Sequence, residues 1–139
     1  MAQPTDDILY NDDGFVYGFE ASGSISRGDV VQVTTSSSPK QPFVVQVYKT
    51  NPPTKPAAGV ALWTVTDGND VAVAGAGCIC RVETLGSNKC VAGDTLYPSG
   101  TAGQVSNDYT FGGTNVPCGI ALETQATTAS TVRMLVTHN

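Results

Sequence analysis

A chain of 139 residues with a formal net charge of -5 and only 7 Lys and Arg has room for one buried core and is poorly suited to a phosphate backbone or an anionic membrane surface. Charged residues make up 14% of it, against roughly 25% in an average globular domain, so Ser, Thr, Asn, Gln and Gly must cover much of the surface, as suits a chain packed against neighbours. No apolar run approaches the roughly 18 residues that cross a bilayer as a helix, and the acidic start lacks the basic n-region of a signal peptide, so a soluble protein made in a cytoplasm is expected.

Val and Thr occur 17 times each against 6 Leu. β-branched side chains pack well on a pleated sheet and lose rotamer freedom in a helix. Gly and Pro punctuate the chain and no stretch has helical periodicity, so the expected fold is all-β, a small barrel or sandwich with little or no helix. Residues 1–14 read as an N-terminal arm, with Ile8, Leu9 and Tyr10 set among Asp6, Asp7, Asp12 and Asp13. Residues 15–139 read as a single β-domain. Its first strand, 15–21, places Phe15, Tyr17 and Phe19 on one face. A strand over 29–35 follows a turn at Arg27-Gly28. Residues 36–57 form a Pro-rich insertion with a strand over 43–49, assigned to an edge or an excursion because proline cannot donate to a ladder. Strands over 60–66 and 71–74 flank the turn Asp67-Gly68-Asn69-Asp70. The strand over 78–84 directs Cys78, Cys80 and Val82 inward. Short strands follow at 95–97 and at Val105. The strand over 117–124 is expected to turn Cys118, Ile120 and Leu122 inward and Glu123 outward. The last, 131–136, turns Val132, Met134 and Val136 inward and Arg133 outward.

The chain also resembles itself. Gly59-Val60-Ala61-Leu62 returns as Gly119-Ile120-Ala121-Leu122, 60 residues later, and Gly28-Asp29 returns as Gly93-Asp94, 65 residues later. Each Gly-Asp precedes a β-prone run, and each Gly-x-Ala-Leu opens a strand. The pattern predicts two related halves.

A search for catalytic chemistry finds little. The single histidine, His138, stands next to the C-terminal residue, a poor place for preorganised acid–base work. There is no Gly-x-Ser-x-Gly elbow, no dinucleotide fingerprint and no phosphate-binding Gly-Lys-Ser/Thr. An EF-hand needs an acidic first ligand and a glycine at its sixth position. Counting back from Gly14 and Gly68 gives Leu9 and Trp63 instead. Lys40, Lys49 and Lys55 do not form a nucleic-acid face on an acidic chain. Cys78, Cys80, Cys90 and Cys118 lack the C-x-x-C spacing of zinc or redox motifs and read as small apolar core residues. A disulfide or an irregular metal site stays open as an alternative. No enzyme activity, cofactor or metal is expected. The candidate functional residues are apolar groups for an interface with another protein or a second protomer: Ile8, Leu9, Tyr10, Phe15, Phe43, Tyr48 and Trp63.

Ile25-Ser26-Arg27-Gly28-Asp29-Val30-Val31, Gly59-Val60-Ala61-Leu62, Cys90-Val91-Ala92-Gly93-Asp94-Thr95-Leu96-Tyr97, Gly119-Ile120-Ala121-Leu122-Glu123 and Thr131-Val132-Arg133-Met134-Leu135-Val136 come in an order that resembles the capsid cement, or head decoration, proteins of tailed bacteriophages and related viruses. The similarity spans residues 20–137, and the Pro-rich insertion and the four cysteines depart from it. It implies a structural protein with a compact β-barrel domain, a homotrimer on the outer surface of an icosahedral HK97-type virion shell. Its partners would be the major capsid protein and itself, with no nucleic acid and no membrane. The competing expectation is a virion-surface or fibre-associated β-domain that binds a host receptor or glycan.

Overall fold

The computed structural model describes residues 8–10, 15–35, 43–49, 55–85, 89–99, 101, 103–108, 116–125 and 131–137. Residues 1–7 and 11–14 of the expected arm, 36–42 and 50–54 of the Pro-rich insertion, and His138 lie outside them. The described residues form strands and no helix. None of the described segments is a helix long and apolar enough to cross a membrane.

Five strands close a first barrel: β2 (Val16–Ala21), β3 (Val30–Thr34), β4 (Val44–Val47), β5 (Gly59–Ala61) and β6 (Asp70–Ala74), in the order β2-β4-β3-β5-β6. The next five are β7 (Ile79–Glu83), β8 (Thr95–Pro98), β9 (Val105–Ser106), β10 (Gly119–Ala121) and β11 (Thr131–Val136). They form a sheet ordered β7-β11-β10-β8-β9, and β1 (Ile8–Tyr10) is added to the outer side of β7. A parallel bridge between Thr84 and Val105 brings β9 back to the end of β7, so this sheet curls nearly shut.

Strand for strand the two halves have one topology. β2–β4 is parallel, as is the Thr84–Val105 bridge. The antiparallel pairs β3–β4, β3–β5, β5–β6 and β2–β6 recur as β8–β9, β8–β10, β10–β11 and β7–β11.

The motif residues recur with their hydrogen bonds. Gly28 and Gly93 hold positive φ, 90° and 94°, which a side chain would disfavour. Each glycine's N–H donates to an alanine carbonyl, Ala61 at 2.9 Å and Ala121 at 2.8 Å. Each following aspartate reaches back across its turn to the backbone three residues earlier, Asp29 Oδ2 accepting from Ser26 N at 2.9 Å and Asp94 Oδ2 from Val91 N at 2.8 Å. Thr64 Oγ1 accepts from Arg27 N at 3.1 Å, and Thr124 Oγ1 from Ala92 N at 3.0 Å. A repeated sequence has folded into a repeated bond set.

The glycine of each Gly-x-Ala-Leu stands where strands press together. A Cβ on Gly59 would run into the Ala74 carbonyl oxygen and lie 2.7 Å from Val73 Cγ1. A Cβ on Gly119 would run into the Met134 thioether and lie 2.7 Å from the Leu135 carbonyl oxygen.

Two apolar clusters fill the molecule. Ala21, Ile25, Val31, Val45, Ala61, Val71 and Val73 line the first barrel's interior. The inner side of the curled second sheet, including Cys80, Val82, Leu96, Val105, Val132 and Met134, is continuous with Val30, Val60 and Ala74 from the outer face of the first barrel. The halves therefore share one core.

Three expectations need correction. The strand at 43–49 is neither edge nor excursion: β4 lies between β2 and β3 inside a closed barrel. Closure leaves no edge, and Val44 and Val45 supply buried side chains. The strand expected over 60–66 ends at Ala61; Val65 returns as a single bridge to Ile25. In β10 the register is reversed. The inward residues are Gly119 and Ala121, while Ile120 and Leu122 are exposed. Met134 already fills the space inside, so only small residues fit beneath it.

Candidate interaction surface

Among the described residues no three His, Cys, Asp or Glu gather as a metal site. The four cysteines are unpaired and buried. Burial pushes the Cys80 and Cys118 thiols up to about 12 and raises those of Cys78 and Cys90. Neutral thiols in an apolar core are poor nucleophiles and poor ligands. Asp29 is also buried, and desolvation raises its carboxyl pKa against the lowering effect of the Ser26 N–H. Its side chain is spent on the turn. What the described surface offers is apolar contact.

On β2 the alternation anticipated from sequence holds. Phe15 and Tyr17 stack with ring centroids 6.2 Å apart, and Tyr17 meets Phe19 at 6.4 Å. Phe15 is 60% exposed and Tyr17 48%, unusual for aromatic rings on the inward face of a barrel strand. They stand beside a cleft of about 500 Å³ between the halves, lined also by Val30, Val60, Met134 and Val136.

The other candidates are scattered by the fold. Phe43 is exposed just before β4, and its carbonyl accepts from Glu20 N at 2.9 Å. Trp63 is exposed beyond β5, with its indole N–H 3.2 Å from the Asp70 carbonyl. Ile8, Leu9 and Tyr10 form β1, which pairs with β7 of the same chain. Tyr48 is a correction: it is 1% exposed and belongs to the shared core. Its hydroxyl donates to the Lys55 carbonyl at 2.6 Å, so the ring fastens the chain to itself.

Sequence reasoning missed Val33, Val91, Ile120 and Leu122, all exposed. Ile120 and Leu122 lie on the outer face of the second half, flanked by Arg133 and Arg81, which share Glu123 at 3.9 and 3.5 Å. The internal repeat was the signal for them. They occupy the places of Val60 and Leu62, yet among the described residues nothing buries them.

No protein-family profile matches this sequence, and no curated protein matches it either. Solved structures do. The head fiber gp8.5 N base of bacteriophage phi29 superposes with a TM-score of 0.57 at 14% identity, over 89% of this chain and 94% of that one. A chain from the capsid of Myoviridae phage XM1 superposes with a TM-score of 0.62 at 13% identity, over 98% of this chain and 94% of that one. The all-β fold expected from the sequence is thus shared, nearly end to end, with structural components of phage heads.

Proposed function

We propose that this chain is a capsid decoration, or cement, protein: it binds as a homotrimer to the outside of an HK97-type phage shell and stabilises it by bridging major capsid subunits. The observation that carries this reading is the end-to-end likeness to chains of two phage heads. The exposed apolar groups and the weakly charged surface support it. A protein that binds only the assembled shell stabilises it by mass action, and many copies clamp it by multivalency. The role needs no catalysis, cofactor or metal.

The test is co-sedimentation with purified expanded shells of the parent virus. Saturable binding near the stoichiometry of the coat protein, with a raised temperature of shell rupture, is the expected result. Shells that neither bind the protein nor gain stability would overturn the reading. The likeness to a head-fiber base favours a second reading, a virion-surface or fibre-associated domain that binds a host receptor or glycan. Binding to host cells by protein that ignores shells would select it.

A further inference from the structure

The repeat relates two surfaces, residue by residue. Across the outer face of the first barrel, strand pairing sets Val16, Ala74, Val60 and Val30 in one row. Across the second half the same pairings set Ile79, Leu135, Ile120 and Thr95 in a row. In the first half Ala74, Val60 and Val30 are at most 1% exposed, because they pack into the second half's core, while Val16 at the end of the row is 42% exposed. In the second half Ile120 is 36% exposed and Thr95 is exposed, and no strand among the described residues packs over them.

The receiving surface is repeated as well. The first half's row packs with Cys78, Cys80 and Val82, on the inward side of β7, all fully or nearly fully buried. Their register counterparts on β2 are Phe15, Tyr17 and Phe19, since Tyr17 pairs with Val73 as Cys80 pairs with Met134. There the counterpart surface is open, and Phe15 and Tyr17 face solvent. Among the described residues one ridge is thus seated in one receiving end, while Ile120 on the second ridge and Phe15 and Tyr17 on the second receiving end are left exposed.

We infer that the Ile120 ridge of one copy seats against the Phe15–Tyr17 end of another, repeating between chains the contact made inside each chain. Such a contact is head-to-tail, and it yields a ring if the rotation closes and a filament if it does not. Large aromatic and aliphatic groups at its centre are the kind that anchor interfaces. This deepens the homotrimer part of the proposed function by assigning its surfaces. It is read without shells, so its failure and that of shell binding are seen separately.

The experiment is light scattering of the full chain after size exclusion, over a range of concentrations. Wild type should run as a multiple of 14.4 kDa. Ile120→Glu removes the ridge and Tyr17→Glu the receiving end; each alone should fall to the monomer mass while keeping a single cooperative unfolding transition, its midpoint lowered only by the lost association. Mixed in equal amounts, the two variants retain one good ridge and one good receiving end, so they should form a dimer of twice 14.4 kDa. Trp63→Glu, exposed beyond β5 at the opposite end of the first barrel from Tyr17, should assemble as wild type. A wild type that stays monomeric at every concentration would overturn the inference, as would either single variant assembling normally. So would a mixture that stays monomeric, because one intact ridge and one intact receiving end would then fail to bind each other.

Discussion

At single positions the repeat is enforced by space. Gly59 and Gly119 each press on the neighbouring strand where a Cβ has no room. Gly59→Ala and Gly119→Ala should each lower the unfolding free energy by about 1–3 kcal/mol, the range for overpacking a tight core. Chemical denaturation measures this, and a loss confined to one of the two would deny their equivalence. The thiols give a pH signature. With native values near 12 for Cys80 and Cys118, against an ordinary 9.0, the fold favours the neutral form. The stability this supplies is complete below pH 9 and is lost as pH rises towards 12. The slope reaches about 1.4 kcal/mol per pH unit for each thiol. A denaturant midpoint followed upward from pH 9 in reductant should fall, and Cys118→Ala should lessen the fall. A disulfide reagent should react slowly with native protein and with all four thiols once it is unfolded.

At the scale of elements, loops are held by a few buried polar groups. Gln125 Oε1 accepts from Cys90 N at 2.9 Å, and its Nε2 donates to Thr84 Oγ1 and to the Thr131 carbonyl, each at 3.1 Å. One side chain thereby ties the end of β7, the turn before β8 and the start of β11. In the first half the same place is held by main chain alone, where Val65 and Ile25 exchange hydrogen bonds. Gln125→Ala should cost about 1–3 kcal/mol, because it strands a buried N–H. Val65→Ala removes no hydrogen-bonding group and serves as the comparison. Tyr48→Phe should cost about 1–2 kcal/mol by the same reasoning, since the hydroxyl's two bonds to the Lys55 carbonyl and N–H are lost. Thermal melts of the three variants check these figures.

At the scale of the whole molecule, the shared core decides cooperativity. Val30, Val60 and Ala74 belong to the first barrel by strand and to the second by packing. Neither half can melt without exposing the other's apolar surface. Calorimetry should show one transition whose van't Hoff and calorimetric enthalpies agree. Two resolved transitions would mean that the halves are separate domains. The same asymmetry, one face covered and its counterpart bare, underlies the self-association proposed above.

The amino-acid sequence by itself determined the β class, the approximate places of the strands though not their ends, the Gly-Asp turns and the relation between halves. These rest on local chemistry: alternation, β-branching and glycines at turns leave their mark in adjacent residues. It also placed the four cysteines in the core and the aromatic row on β2. The tertiary structure alone decided which face of a strand is inside. Ile120 and Leu122 look like core residues until Met134 occupies the space they would take. It alone closed β4 into a barrel beside a parallel partner, because a pairing between distant strands leaves no local pattern. It alone drew Tyr48 inward and left Phe15 and Tyr17 out. Burial at those positions depends on what the other half covers, and a repeat whose two copies are locally alike cannot say which of them will be covered.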